Sequence, residues 1–176
     1  MAAKTSLTAL ALLISVGSGG ALAGDSTYTK HDYPKCTFVK REDDGDIRRC
    51  KGHAGIQVNW YGGEDGTSVD FGKDGLVGDG VGLSFANPSN MVEWHGPLVK
   101  GKVKPDAAIV RYSICQNIGG DNCHSTLYVF RLDGAASSCI MSAIDGAKKD
   151  ANLVARLMVD QKAAGFTCGK DARIEP

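Results

Sequence analysis

The sequence predicts an α+β fold: a single antiparallel sheet of roughly seven short strands with one C-terminal amphipathic helix, stapled by disulfides. Three observations lead to this fold class. Short runs of alternating apolar and polar residues, separated by Gly- and Asp-rich turns, recur between residues 54 and 144. Residues 153–162 instead carry apolar side chains at helical spacing, with Asp150 or Asp145 as the candidate N-cap. No strand–helix–strand alternation occurs, which excludes a doubly wound parallel sheet.

The first 23 residues have the three regions of an export signal peptide. Lys4 supplies the positive charge, residues 6–16 form an apolar stretch, and Ala21-Leu22-Ala23 is a small-x-small cleavage site. The apolar stretch is shorter than the roughly 20 residues that a membrane-spanning helix needs. We therefore expect cleavage near Ala23 and a periplasmic or secreted protein without a membrane span.

The mature chain is predicted to form one domain. It has 153 residues, and loss of Lys4 leaves 19 basic against 20 acidic residues, a net charge of −1. This balance gives no global electrostatic attraction to nucleic acid. Residues 24–35 are polar and contain a proline, so they are predicted to be a flexible N-terminal arm. Residues 36–176 then form the disulfide-bonded α+β domain.

The predicted strands follow one another along the chain. Ile56, Val58 and Trp60 alternate with polar residues, which is the pattern of a half-buried strand. Residues 67–71 repeat this pattern after a Gly-rich turn and complete a hairpin. The further predicted strands are residues 81–85, 92–94, 107–114, 125–132 and 137–144.

The period of the pattern changes near the C-terminus. Leu153, Val154, Leu157 and Met158 recur at the spacing of an amphipathic helix. Gly165 suits the position just after a helix end, where a left-handed conformation is common.

An even number of cysteines follows the export signal, as is typical of a disulfide-stabilised exported domain. They allow fifteen connectivities, among which the sequence alone does not choose. Local context favours one of them. Two cysteines flank a polar hairpin loop, two lie on either side of the helix, and the remaining two pair by default. The resulting pairs are Cys36–Cys50, Cys115–Cys123 and Cys139–Cys168.

Several short motifs occur together in the mature chain. They are Cys50-x-Gly52-x-x-Gly55, Ser68-Val69-x-Phe71-Gly72, Val92-Glu93-Trp94-His95, Asp150-Ala151-Asn152 and Gly165-Phe166-x-Cys168-Gly169. In this combination the chain resembles a family of small exported bacterial proteins of unassigned function. The resemblance covers most of the mature chain, supports the Cys139–Cys168 bridge and implies no activity. The Cys115–Cys123 pair has no counterpart in that family and depends on the loop geometry alone.

No catalytic, cofactor or metal-binding motif stands out. The Gly-rich residues 72–82 precede strand-like sequence, whereas a phosphate-binding loop opens a helix. The Asp-rich turns lack the EF-hand pattern. The histidines, at positions 31, 53, 95 and 124, have no metal-ligand spacing; they are His31, His53, His95 and His124. The sequence therefore predicts no catalytic residue, cofactor or metal. A Ser-His-Asp site assembled only in three dimensions stays open, because such sites are recognised by geometry.

Five residues are candidates for binding a partner. Tyr61 and Trp94 are large strand aromatics that can anchor an interface when exposed, although a core position is the default for Trp94. Lys100, Lys102 and Lys104 alternate along an extended segment and can bind a polyanion. The alternative is that these lysines only protect a sheet edge from pairing with another chain.

The sequence therefore predicts an exported, non-enzymatic module that binds a protein or an envelope component, with inhibition of a hydrolase as one concrete form. The alternative is a periplasmic hydrolase with a spatially assembled histidine site. A deep pocket that gathers a histidine and a carboxylate favours the hydrolase. An exposed aromatic or lysine patch favours the binding module.

Overall fold

A computed structural model describes residues 23–42, 45–64, 66–74, 85–117, 120 and 122–176, and in these residues the chain is mostly β. The strands are β1 (Asp25–Lys30), β2 (Thr37–Glu42), β3 (Gly45–Lys51), β4 (Gln57–Gly63), β5 (Gly66–Phe71), β6 (Ala86–Gly96), β7 (Leu98–Val99), β8 (Lys102–Val103), β9 (Ala107–Cys115), β10 (Cys123–Asp133) and β11 (Ser137–Asp145). One α-helix, α1 (Ala151–Lys162), follows them, and short 3₁₀ turns cover Tyr33–Lys35 and Ala163–Gly165.

The strands form three antiparallel units. The large sheet has the order β1-β6-β9-β10-β11, and the small sheet has the order β2-β3-β4-β5. The strands β7 and β8 form a separate two-stranded hairpin, called here the lysine hairpin. Within the described residues, no helix has the length and apolar character needed to cross a membrane.

The prediction of a single sheet in an α+β fold is wrong. The described chain has a five-stranded and a four-stranded sheet, and its one short helix covers only the outer face of the larger sheet. Apolar alternation shows that a strand has a buried face, but it does not show what covers that face. The central strands are buried on both faces, as in the continuously buried residues 92–96 and 127–130. Strands of this kind lose the alternation and read as apolar runs.

The first core lies between the two sheets. Phe71 of β5 packs edge-on against Trp94 of β6 and Phe130 of β10, with ring centroids 5.4 and 5.1 Å apart. The backbone N–H of Val69 donates to the Tyr112 hydroxyl across the sheets at 3.0 Å. Edge-to-face aromatic pairs each add about 0.5–1.5 kcal/mol beyond their burial, so these contacts fix how the sheets pack.

The second core lies between the large sheet and α1. The helix residues that it buries are Ala151, Ala155, Met158 and Val159. Leu153 and Leu157, which belonged to the predicted apolar pattern, are instead 55% and 44% exposed. Alanine carries a weak apolar signal in sequence, yet its small side chain allows the helix to lie close to the sheet.

Two N-terminal segments differ from their predicted form. Residues 24–35, predicted to be a flexible arm, contain β1, which pairs with β6 along its whole length from Asp25↔Gly96 to Lys30↔Met91. The segment between Cys36 and Cys50 forms the β2–β3 hairpin, which the sequence analysis did not identify. β1 is an edge strand with only partial burial, so its residues are polar and do not show the apolar alternation that predicts a strand. Most of the strand predicted over residues 81–85 lies outside the described residues.

All three predicted disulfides are confirmed. Cys115 and Cys123 lie directly opposite each other on β9 and β10, with Cα atoms 4.0 Å apart. Cys139 of β11 is bonded to Cys168 beyond α1, at a Cα separation of 5.8 Å. The Cys36–Cys50 bond closes the third loop, with Cα atoms 4.9 Å apart.

Candidate functional site

The lysine hairpin is the most exposed cationic feature that the sequence analysis singled out. Lys100, Lys102 and Lys104 all have exposed side chains. Among the described residues, none of these lysines forms an ion pair. They nevertheless do not share one strand face as predicted, because Lys100 lies in the hairpin turn and Lys104 lies beyond β8. Lys100 therefore lies at the tip of the lysine hairpin, Lys102 lies on β8, and Lys104 lies at the base of the hairpin.

The turn of the lysine hairpin has a conformation that lysine disfavours. Lys100 and Gly101 occupy its two central positions with φ of +52° and +74°. Two positive φ values in a two-residue turn match the type I′ geometry, for which Asn-Gly is the preferred sequence. A residue with a Cβ atom is uncommon at positive φ, because its side chain crowds the backbone. The chain therefore carries a lysine at the tip despite a local conformational cost.

Two apolar side chains accompany the lysines. Leu98 and Val99 on β7 are 56% and 47% exposed, although they are adjacent in sequence and lie beside the cationic turn. The sequence analysis did not identify them. The available signal was weak: Gly101 can adopt the positive φ of a hairpin turn, but Lys-Gly is not among the preferred two-residue turn sequences. Exposed apolar residues next to unpaired cations are suited to a partner that both excludes water and carries negative charge.

The base of the lysine hairpin is firmly held. Val103 is buried, and its carbonyl accepts a hydrogen bond from His53 Nε2 at 2.9 Å. The backbone N–H of Lys104 donates to the Pro97 carbonyl at 2.9 Å. The projection is thus ordered before it meets a partner, which lowers the entropy cost of binding.

The two aromatic candidates lie elsewhere. Trp94 is fully buried between the sheets, and its Nε1 donates to Thr29 Oγ1 at 2.8 Å, so it presents no surface to a partner. Tyr61 lies on β4 with a half-buried side chain, paired with Ile47 on β3 and Ser68 on β5. The structure does not bring either aromatic together with the three lysines in a common contact.

A second cluster, missed in the sequence analysis, lies where α1 meets β1 and β6. Asn152, Arg156 and Asp160 recur every four residues along one side of the helix, and this stripe faces β6. Opposite the stripe, Glu93 and His95 are 4% and 2% exposed. The signal was present in the polar residues at alternate positions of Val92-Glu93-Trp94-His95, which places Glu93 and His95 on one face of a strand.

The cluster brings a serine, a histidine and two carboxylates within hydrogen-bonding distance. Ser26 Oγ lies 2.6 Å from Glu93 Oε1 and 2.8 Å from His95 Nδ1. His95 Nε2 lies 3.0 Å from Asp160 Oδ1, and Arg156 Nε donates to Glu93 Oε1 at 2.5 Å. The order Ser–His–Asp resembles the chain of contacts in a serine hydrolase.

The protonation of this cluster differs from that of a hydrolytic triad. Burial alone raises the pKa of Glu93, but hydrogen bonds from Arg156, Ser26 and Asn152 outweigh it, so the pKa lies below its usual value. Glu93 is therefore an ionised acceptor, and the single hydroxyl hydrogen of Ser26 is directed to it. His95 Nδ1 must then donate to Ser26 Oγ rather than accept from it. A nucleophilic serine needs the opposite arrangement.

An open groove of about 310 Å³ lies at the bulge where β6 departs from β9. His124 and Arg111 line it, together with serine side chains, and the described lining residues include no carboxylate. Arg111 donates to Ser125 Oγ, the Gly146 carbonyl and Asn152 Oδ1 at 2.7–2.8 Å. Among the described residues, the groove thus has a histidine without a carboxylate, and the His95 cluster has carboxylates but is buried. Among the described residues, no group of three His, Cys, Asp or Glu side chains is arranged to hold a metal ion.

Comparison with known proteins adds no relative. No family model, curated protein or solved structure shows significant similarity to this chain.

Proposed function

We propose that this protein is an exported, non-enzymatic binding module whose lysine hairpin enters an acidic recess on a protein partner. The observation that carries the proposal is the exposed combination of Leu98 and Val99 with Lys100, Lys102 and Lys104 on one anchored projection. Apolar side chains gain from a partner that removes them from water, and the lysines gain from carboxylates there. A hydrated polysaccharide supplies charge but little apolar surface, so a protein recess is the better match.

Export is supported by two independent features. The first 23 residues have the regions of a signal peptide, and the three disulfides suit an oxidising compartment. A periplasmic or secreted location follows, with cleavage near Ala23.

Inhibition of a glycoside hydrolase is the specific form of this function. Such enzymes hold a pair of Asp or Glu side chains on either side of a substrate cleft. A cationic, preformed hairpin with an apolar flank complements a cleft of this kind in shape and charge. The hairpin blocks substrate without any reaction of its own, in agreement with a Ser26–His95 pair that lacks an activated nucleophile.

The test measures inhibition of lysozyme, a defined glycosidase with two catalytic carboxylates, by the mature protein. We expect stoichiometric inhibition, weakened roughly 100-fold by the triple substitution Lys100→Gln, Lys102→Gln and Lys104→Gln, which is about 2.7 kcal/mol of binding free energy. The matched control changes three exposed lysines elsewhere to Gln, namely Lys148, Lys149 and Lys170. Equal inhibition by both triple variants would exclude the lysine hairpin as the contact. If lysozyme is not inhibited, the inhibitor form of the proposal fails for this target.

A hydrolase centred on Ser26 is the second candidate, and the Ser26–His95–Asp160 contacts are the observation that favours it. The mature protein should be treated with a fluorophosphonate probe, which labels activated serines. We expect no labelling above that of the Ser26→Ala variant. Labelling that disappears in the Ser26→Ala variant would establish the hydrolase and displace the binding module.

A further inference from the structure

The predicted cleavage site lies directly beside a buried charge cluster. Ala23, the last residue of the predicted signal, is exposed, and Gly24 directly precedes β1. The Gly24 backbone nitrogen donates to Asp160 Oδ1 at 2.9 Å, across 136 residues of sequence. The same carboxylate oxygen lies 3.0 Å from His95 Nε2. The residue that cleavage would turn into the N-terminus therefore already contacts an acidic side chain of α1.

The approach of Gly24 to this cluster leaves no room for a side chain unless part of the cluster moves. A Cβ atom at Gly24 would lie 2.7 Å from Asp160 Oδ1, 2.8 Å from His95 Nε2 and 3.0 Å from the Gly96 carbonyl oxygen. Carbon atoms do not approach these groups so closely, so an alanine here would have to displace part of the cluster. The absence of a side chain lets the Gly24 nitrogen lie 2.9 Å from Asp160 Oδ1 without displacing the His95 ring.

We propose that export processing after Ala23 creates a functional N-terminus, in which the α-ammonium of Gly24 forms an ion pair with Asp160 and locks β1 to α1. In the processing step a peptidase adds water across the Ala23–Gly24 peptide bond. The water oxygen goes to the Ala23 carboxylate, and both water hydrogens go to the Gly24 nitrogen. A neutral amide N–H donor is thereby replaced by an ammonium with three N–H donors at the same position.

The electrostatics of the cluster favour an ammonium over a neutral amide N–H at the Gly24 nitrogen. Asp160 has a side chain only 16% exposed and lies beside the nearly buried His95. Hydrogen bonds that involve an ionised donor and acceptor are roughly twice as strong as neutral ones, and partial burial reduces screening by salt.

The first experiment determines the N-terminus of the exported protein by mass spectrometry. We expect it to begin at Gly24. A chain that begins at any other residue would overturn the inference, but it would leave the lysine-hairpin proposal intact, because the lysine hairpin does not depend on residue 24.

The second experiment measures the coupling between the ammonium and Asp160. The chain that begins at Gly24 is compared with one that keeps Ala23 and with an Nα-acetylated chain that begins at Gly24. Both changes remove the charge from the Gly24 nitrogen. We expect each to lower Tm by roughly 3–5 °C, and to lower it by less than about 1 °C when Asp160→Asn is also present. Equal Tm values for the three chains, or a difference that persists with Asp160→Asn, would overturn the ion pair.

A spectroscopic readout separates the ion pair from a purely steric effect of the extension. The ring ¹⁵N chemical shifts of His95 should differ between the chain that begins at Gly24 and the acetylated chain, because only the former places an ammonium on the Asp160 oxygen that His95 Nε2 contacts. Identical His95 shifts in the two chains would contradict the proposal.

Discussion

The Glu93 carboxylate of β6 and the Arg156 guanidinium of α1 form a 2.5 Å ion pair beneath the helix. Glu93 is 4% exposed, while the Arg156 side chain is 35% exposed and reaches out to donate to the Tyr28 hydroxyl at 2.8 Å. The pair joins the helix to both β6 and the edge strand β1. Its loss would leave a carboxylate buried between helix and sheet.

Arg156→Ala should therefore destabilise the protein more than an exposed substitution on the same helix. We expect a loss of about 2 kcal/mol in the free energy of unfolding, less than the roughly 3–5 kcal/mol for a fully buried pair, because Arg156 is partly solvated. Denaturant unfolding measures this change, with Gln161→Ala as the exposed control. The double variant Glu93→Met/Arg156→Leu should recover most of the loss, since it buries no unpaired charge. A double variant that is less stable than Arg156→Ala would contradict this account.

Glu93 also predicts how stability depends on acid. Its folded pKa lies below 4.5, since the hydrogen bonds from Arg156, Ser26 and Asn152 outweigh the effect of burial. Its contribution to stability is thus fully present above about pH 4.5 and is lost as the pH falls through the folded value. Unfolding measured between pH 3 and 6 should show this slope, and Glu93→Gln should reduce it. An unchanged slope would assign the acid sensitivity to other carboxylates.

His31 predicts a second pH effect at higher pH. Burial lowers its pKa below 6.5. The Thr29 hydroxyl accepts a hydrogen bond from Trp94 Nε1, lies 2.7 Å from His31 Nε2 and can donate its own hydrogen to the neutral ring. The neutral ring is the native form, so stability is complete above about pH 6.5 and falls as the pH drops below it.

The His31→Gln variant tests this effect because an amide oxygen can accept the Thr29 hydrogen bond without titrating in this range. The slope of unfolding free energy against pH between 5 and 6.5 should decrease in His31→Gln. His124→Gln changes an exposed histidine and serves as the control. If the control flattens the profile and His31→Gln does not, the assignment to His31 is wrong.

The disulfides should contribute according to the loops that they close. The Cys139–Cys168 bond spans 29 residues and the Cys115–Cys123 bond spans 8. Chain-entropy arguments give about 3.5 kcal/mol for the longer loop and about 2.5 kcal/mol for the shorter one. We expect the Cys139→Ala/Cys168→Ala variant to be the less stable of the two paired variants, by calorimetry. The longer bond also holds the chain beyond α1 to β11, so the opposite order of stability would argue against a structural role of that attachment.

The conformation of the lysine-hairpin turn predicts that one substitution can raise the stability of the protein and weaken its binding to a partner. Asparagine adopts positive φ more readily than lysine, so Lys100→Asn should stabilise the protein by about 0.5–1 kcal/mol. It also removes one of the three cationic groups and should weaken partner binding. Lys102→Asn removes a charge from β8 without the favourable turn residue, and it should weaken binding without raising stability. Thermal unfolding and inhibition titrations of both variants separate the two effects, and a stabilised Lys102→Asn variant would contradict the turn argument.

Particular residues show how far local pattern predicts this fold. Ile56, Val58 and Trp60 alternate and are all buried, so the strand was identifiable from sequence. Cys115 and Cys123 flank a loop between two strand patterns, and their directly opposed positions follow from that arrangement. By contrast, β1 consists of polar residues whose partner, β6, lies about 65 residues away. The strand conformation of β1 therefore depends on pairing with that distant strand.

The candidate sites also contain some residues that were identifiable from sequence and others that only the structure brings together. The three lysines were identifiable because charge on an extended segment is visible in sequence. Leu98 and Val99 became candidates for binding only because the structure shows that they are exposed. Ser26, Glu93, His95, Asp160 and Gly24 come from three separate segments, and nothing local links them. Their cluster depends on the way that α1 crosses the large sheet.

The sequence by itself determined the properties that depend on composition and neighbouring residues. These are the export signal pattern, the strand and helix periods, the even number of cysteines and the lysine-rich segment. Tertiary structure decided that the strands divide into two packed sheets, that Trp94 is internal, and that the Gly24 nitrogen meets Asp160. The physical reason is that alternation and helical spacing define which face of an element is apolar. Which other element covers that face depends on contacts between residues far apart in the chain.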